Sequence, residues 1–406
     1  NKEFNVGLTP ELIVMTAGAA GALNDILKAL INPGEDILVP APYFVGYNQY
    51  AFVAGANLKT VASNPDFHLN LAAIEQAITA NTRVVLINSP NNPTGVVYNK
   101  EELMGLGKVL DAASKKFGKR IYLISDEPYR KIAYGVPVPS VFDVYPHTIV
   151  LTSYSKELSL AGERIGYLAI HPDAEDAEII AGAAGVANTM MYVNAPSLFQ
   201  QVVGKIQGVS VDIEIYKKRR DILSQGLLDA GYELDIPEGA FYLFPKSPIS
   251  DDVKFVKILQ ENRILAVPGS GFGGPGHFRL SYAVPDKTIA DSINYFKKAI
   301  EGSLQRLQTD YLDLYQLHWP SRGVNCFGVR DYPYQTATKE AENHLEILET
   351  LNAFVKAGSI RAIGLSNETP WGTMKYLQTA NDYNLSRPVT IQNSYSLIHR
   401  GYEVGL

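Results

Sequence analysis

The run Ser153-Tyr154-Ser155-Lys156, with Arg164 eight positions beyond the lysine, holds the groups needed to bind a phosphorylated aldehyde. Lys156 can condense with a carbonyl to a Schiff base. Ser153, Ser155 and Arg164 can grip a phosphate through charge-assisted hydrogen bonds. An isolated Ser-Lys is more often a solvated loop, so the reading depends on three further stretches. Thr16-Ala17-Gly18-Ala19-Ala20-Gly21 follows an apolar run and opens a helical one. Its small residues allow close backbone approach, and a helix N-terminus favours an anion. Ser89-Pro90-Asn91-Asn92-Pro93-Thr94-Gly95 is a rigid turn that would aim Asn92 at a cofactor phenolate oxygen, and Tyr129 could bond the same oxygen. Ser125-Asp126-Glu127-Pro128-Tyr129 closes a continuously apolar run. Asp126 facing a pyridine nitrogen would keep that nitrogen protonated and make the ring an electron sink.

These residues need a frame that brings several strand ends together. Residues 1–210 alternate apolar runs with helical stretches. Strands are expected at Leu12–Met15, Asp36–Val39, Arg83–Asn88, Ile121–Ser125, Thr148–Thr152 and Ile165–Ile170, and helices at Gly21–Leu30, Leu71–Ile78 and Glu101–Lys115. Runs such as Val84-Val85-Leu86-Ile87 suit strands buried on both faces of a mostly parallel sheet, which makes this an α/β domain. Residues 211–302 read as a smaller α+β domain. Its expected helices are Ile213–Ala230, Asp252–Glu261 and Thr288–Ala299, and its strands Tyr232–Asp235, Phe241–Phe244, Ile264–Val267 and His277–Ala283. Residues 303–406 restart a βα pattern. Strands are expected at Asp310–Leu317, Ile360–Leu365 and Val389–Gln392, with a polar loop from Trp319 to about Thr338, a helix ending near Lys356 and another at Trp371–Ala380.

Composition narrows the class. The chain has 406 residues, 46% hydrophobic and 19% charged, with a net charge of −6. That is a globular mix, and it lacks the basic excess expected of a nucleic-acid or anionic-membrane binder. One cysteine rules out a disulfide framework and a cysteine zinc site. No apolar run is long enough to span a bilayer and no signal-peptide pattern is present, so the expected location is cytoplasmic.

The ordered set from the Gly18 turn through Asn92, Asp126, Tyr129, Lys156 and Arg164 resembles the fold type I, class I/II aminotransferases, over residues 1–302. The resemblance implies a large domain of the pyridoxal phosphate-dependent transferase type and pyridoxal 5'-phosphate as cofactor. Ala19 and Ala20 would give backbone N–H groups to its phosphate, and Phe44 would stack on its ring. Arg279, in His277-Phe278-Arg279-Leu280-Ser281, would clamp the substrate α-carboxylate, with Asn92 also at the substrate. Glu238-Gly239-Ala240-Phe241-Tyr242 and Pro268-Gly269-Ser270-Gly271 fit the family's small domain. It implies transfer of an amino group between an amino acid and a 2-oxo acid, with catalytic roles for Lys156, Asp126 and Tyr129, in a homodimer. Relatives carry a segment ahead of the position of Asn1, so the expectation is an N-terminally truncated chain of impaired activity.

Residues 303–406 resemble the aldo-keto reductases, through Ser303-Leu304-Gln305-Arg306-Leu307, Thr309–Pro320, Ile363-Gly364-Leu365-Ser366-Asn367 and Gln392-Asn393. That family is a (β/α)8 barrel using NADPH. His318 would orient a carbonyl, while Ser366, Asn367 and Gln392 would hold a nicotinamide carboxamide. The family's catalytic tyrosine, lysine and aspartate precede the histidine, where this chain has aminotransferase-like sequence. The expectation is a fused, non-catalytic partial barrel. The rival readings are an NADPH-dependent reductase and a non-catalytic cofactor-binding protein.

Overall fold

The structure, a computed structural model, describes residues 4, 6–293, 295–296, 312–317, 344–356, 360–366 and 368–392. The chain divides into two compact units, Asn1–Ala299 and Ile300–Leu406.

The first unit is built on a seven-stranded sheet. Its strands are β1 (Ile13–Thr16), β2 (Asp36–Ala41), β3 (Asn57–Ala62), β4 (Thr82–Asn88), β5 (Tyr122–Asp126), β6 (Thr148–Ser153) and β7 (Gly166–Ile170). Their spatial order is β1-β7-β6-β5-β4-β2-β3. Strands β3, β2, β4, β5 and β6 run parallel, and β7 is antiparallel to both β6 and β1. Continuous burial of β5 and near-continuous burial of β4 and β6 explain their unbroken apolar runs. The helices α1 (Gly18–Leu30), α2 (Tyr47–Ala54), α3 (Leu71–Ala77), α4 (Lys100–Phe117), α5 (Tyr154–Glu157) and α6 (Ala177–Tyr192) follow in chain order. Helix α1 buries Ala22, Leu23, Ile26, Leu27 and Leu30 and packs against β6, β7 and α6. Helix α4 opens with a capping box between Asn99 and Glu102 and ends on left-handed Gly118.

Strand β3 and helices α2 and α6 were not expected from sequence. Strand β3 lies at the sheet edge and exposes most of its residues, so it lacks an apolar run. Beyond α6 come helices Ser197–Lys205 and Ile213–Asp229, then a three-stranded antiparallel sheet of Tyr242–Leu243, Phe278–Ser281 and Val267–Pro268. The helix at Asp252–Glu261 matches its expected bounds, and helical residues recur at 286–293 and 295–296. Tyr232–Asp235 forms no strand. Tyr232 instead packs its ring against Phe255, Phe278 and Phe296. The strand expected at Ile264–Val267 is only Val267–Pro268, because Ile264 still bonds back to Leu259 at the end of the preceding helix.

In the second unit, Leu312–Leu317, Ile360–Ser366 and Pro388–Gln392 form a parallel three-stranded sheet. Helices His344–Lys356 and Pro370–Asp382 are the crossovers. Leu348, Leu351, Ile360, Ile363, Leu365 and Tyr376 make its core. The polar loop expected from Trp319 falls outside the described residues.

Gly166 opens β7 where three backbones meet. A Cβ there would lie 2.4 Å from the carbonyl oxygen of Thr152 and 2.9 Å from Gly18. Backbone cannot give way as a side chain tip can. Gly166→Ala should therefore destabilise the protein by about 1–3 kcal/mol, read as a lower midpoint in thermal or urea unfolding. An unchanged midpoint would show that these three segments have slack.

Candidate active site

The parallel strands deliver their carboxyl ends to one edge of the sheet, where α/β proteins bind ligands. Strand β1 leads into the Gly18 turn and α1, β2 into Phe44, β4 into Asn92, β5 ends on Asp126, and β6 leads into Lys156. Because β7 runs the other way, its start beside Arg164 lies at the same edge, with Gly166 paired to Ser153 and to Thr16. A cleft of about 350 Å³ results. It is lined by Ala19, Ala20, Phe44, Asn92, Asp126, Tyr129, Ser153, Ser155, Lys156, Arg164 and Arg279, so every candidate catalytic, cofactor-binding or substrate-binding residue expected in the first 302 positions sits in one place. Leu23, Tyr47, Tyr50, Asn88, Pro128, Ala161 and Tyr242 complete the lining.

Asp126 is buried. Its Oδ2 accepts a 2.7 Å hydrogen bond from the Tyr47 hydroxyl, while its Oδ1 has no partner among the described residues. Burial pushes its carboxyl up to about 6, the Tyr47 bond pulls the other way, and neighbouring Glu127 adds to the rise. Asn88 donates to the Asp126 carbonyl at 2.7 Å and accepts from the Asn92 backbone N–H at 2.7 Å, which locks the ends of β4 and β5 to the Asn92 turn.

Lys156 is half-buried on α5. Burial lowers its amine from the ordinary lysine range, and the charges of Arg164 and Arg279 lower it further. Its Nζ lies 5.5 Å from the centre of the Phe241 ring. Ser153 caps α5 by accepting from the Ser155 N–H at 3.1 Å, and its hydroxyl donates to Ser155 Oγ at 2.6 Å. Arg164 adopts a left-handed φ of 51°, held by bonds from its guanidinium to the carbonyls of Ala161 at 2.8 Å and Ala17 at 3.4 Å. Ala19 and Ala20 lie in the first turn of α1. No side chain of the N-cap residue Ala17 covers that turn, so its N–H groups are open to an anion.

Arg279 comes from the smaller sheet. Its guanidinium lies 4.5 Å from the Tyr242 ring and 4.7 Å from the Phe272 ring, and it donates to Asn92 Oδ1 at 2.8 Å. Tyr129 and Tyr242 share a hydroxyl–hydroxyl bond of 3.1 Å. Burial is the main cause that raises Tyr129 well above its ordinary value. The segment that leads to the smaller sheet meets the Asn92 turn at Gly95 as well. Its φ is 76°, a Cβ there would lie 2.3 Å from Pro237 Cβ, and its carbonyl accepts from the N–H groups of both Glu238 and Gly239.

The sequence reading missed Tyr47 and Tyr50 because it missed α2, and it named Tyr242 only within the small-domain run, with no role for its hydroxyl. In the second unit, Ser366 and Gln392 are paired on neighbouring strands. His318 and Asn367 lie outside the described residues. Among the described residues no cluster of three or more His, Cys, Asp or Glu is set to hold a metal, and no helix is long and apolar enough to cross a membrane.

The strand-edge cleft joins a lysine, a buried carboxylate and an open helix N-terminus, and comparison with known proteins gives the family. The model for aminotransferase class I and II matches residues 2–296, and the chain belongs to that family. The model for the aldo/keto reductase family matches residues 283–404. The chain is 31% identical over 310 residues to the probable aspartate aminotransferase of Methanocaldococcus jannaschii, covering 74% of this chain and 80% of that one. It is 32% identical over 301 residues to the aspartate aminotransferase of Thermotoga maritima, covering 72% and 76%. The crystal structure of an amino transferase from Eubacterium rectale superposes with a TM-score of 0.72 at 40% identity, covering 74% of this chain and 77% of that one. The protein is an aminotransferase.

Asp126 and Asp25, an acid buried in α1, are both raised from the ordinary 3.8 to about 6, chiefly by burial. The folded protein keeps a proton that the unfolded chain releases near pH 4. Stability of the cofactor-free protein should therefore fall as pH rises from about 4 to about 6, by on the order of 3 kcal/mol per carboxyl. Urea titrations across that range check the slope, and Asp126→Asn should remove about half of it.

Proposed function

We propose that the cleft holds pyridoxal 5'-phosphate on Lys156 and exchanges an amino group between an α-amino acid and a 2-oxo acid. The observation that carries this is Asp126: a buried carboxylate in the cleft with one oxygen unsatisfied suits a cationic N–H, such as a protonated pyridine nitrogen. The rest of the lining fits the same molecule. The first turn of α1 with Ala19 and Ala20, Ser153, Ser155 and Arg164 would take the phosphate. Phe44 would cover the ring, and Asn92 and Tyr129 would meet the phenolate. Bound there, pyridoxal phosphate supplies an aldehyde that carries the amino group and a ring that accepts the electron pair left when the Cα proton departs.

The protein's own groups do the remainder. Arg279, between its two rings, binds the substrate α-carboxylate bidentately, with Asn92 alongside. Lys156, its amine made less basic by burial and by two guanidinium charges, acts as the base that takes the proton from the substrate Cα and gives it back. Asp126 stabilises positive charge beside it throughout. The relatives' names put aspartate among their substrates, and the α-carboxylate clamp assigned here is common to any α-amino acid.

The reading extends to a cytoplasmic homodimer, supported by the family resemblance and by the apolar side chains exposed at Phe52, Ile179, Met190 and Leu198. It divides the chain into a cofactor-binding domain at 1–210, a small domain at 211–302 and a reductase-like partial barrel at 303–406. The last is supported by the aldo/keto reductase match and by the βαβαβ order there.

Borohydride treatment of cofactor-loaded protein, followed by peptide mapping, should place the pyridoxyl group on Lys156. Attachment to another lysine, or none in saturated protein, would remove this reading. Replacing Arg279 by Lys keeps the charge and loses the bidentate fork. The KM for the amino acid should rise roughly 10- to 100-fold, as expected for lost charge-assisted bonds, with a smaller change in kcat. Steady-state kinetics in a coupled assay would separate the two.

A further inference from the structure

We propose that Asp25 and Tyr192 form a positioning pair that sets the first turn of α1 in the geometry an anion requires. Neither residue lines the cleft. The proposal rests on the reading that this turn receives the cofactor phosphate.

The turn between β1 and α1 has no cap of its own. Ala17 has no side-chain oxygen, and Gly18 takes a left-handed φ of 74° to bring the chain into the helix. The missing partner comes from α6. Tyr192, its last residue, donates its hydroxyl proton to Asp25 Oδ2 at 2.6 Å, and the Ala17 N–H donates to the Tyr192 hydroxyl oxygen at 3.5 Å. A phenol has one proton. Given to Asp25, it leaves the oxygen's lone pairs toward Ala17. One turn earlier on α6, Asn188 donates to the Met15 carbonyl at 2.9 Å, so two residues of this helix tie down the approach to α1. The Ala17 N–H is thereby engaged, and the N–H groups of Gly18, Ala19 and Ala20 remain for an anion.

Two further facts accord with this pairing. Asp25 is fully buried, its Oδ1 has no partner among the described residues, and its bond to Tyr192 is the one that its carboxylate makes there. A carboxylate is a costly group to bury for packing alone. Gly21 faces the same phenol: a Cβ would lie 2.4 Å from the Tyr192 oxygen. Glycine is a poor helix former, so its place in α1 is explained by the room that the phenol needs.

The test compares two probes with the same aldehyde and ring, pyridoxal phosphate and pyridoxal, on the full cofactor-free chain, with inorganic phosphate as competitor. Tyr192→Phe should weaken pyridoxal phosphate and inorganic phosphate five- to tenfold and leave pyridoxal within twofold. Gly21→Ala, which displaces the phenol while favouring helix, should do the same, and it keeps the test decisive if Tyr192→Phe folds poorly. Wild-type affinity for phosphate in both variants, or an equal loss of pyridoxal and pyridoxal phosphate, would overturn the proposal. A wild-type protein with no preference for pyridoxal phosphate over pyridoxal would instead fail the parent reading, and this inference with it.

Discussion

A carboxylate kept out of water with only one of its two oxygens hydrogen bonded sets the terms for the whole cleft. Asp126 ends the central strand β5, so it cannot swing to solvent, and Tyr47 alone offsets its burial. Such a group is tolerated only where the surrounding fold is rigid enough to forbid its escape. The fold supplies that rigidity through Asn88, which fastens Asp126's backbone to the next strand end, and through the close backbone contacts at Gly166. The same rigidity keeps Lys156, one strand away, at a fixed place in the cleft.

The charge balance of the cleft points the same way. Arg164, Arg279 and half-buried Lys156 line one space with a single carboxylate, Asp126, among the described lining residues. Mutual repulsion and burial both make the lysine less basic. Anions arriving at the two arginines would relieve that repulsion. A site of this kind therefore favours ligands carrying a phosphate and a carboxylate over neutral ones, before any shape is considered.

The sequence disclosed the chemistry well and its supports poorly. Ser153–Lys156, Asp126 and Asn92 were legible because each follows an apolar run that could only be a buried strand, and the strand order brings such ends together. Helix α2 escaped notice because it is short and set between two glycines, and with it went Tyr47, the partner on which Asp126 depends. Asp25 looks like any helical acid in sequence, since nothing local reveals that a tyrosine 167 residues away will cover it. Tyr232–Asp235 alternates as a strand should, yet Tyr232 serves an aromatic cluster and the stretch makes no ladder. Local pattern reports burial, and only the fold reports against what.

The contact between Gly95 and Pro237–Gly239 bears on how such a protein can change over evolutionary time. Two stretches 142 positions apart share one backbone seam with no space for a side chain at the glycine, and the seam joins the turn carrying Asn92 to the segment that leads into Phe241 and the strand beginning at Tyr242. A substitution or a shift of register in either stretch needs a matching change in the other. The two are sterically constrained together, and shuffling them separately between relatives would break the seam even where each piece alone looks compatible. Innovation in this cleft is thus steered toward the tips of the lining side chains, where one residue can vary without its distant partner.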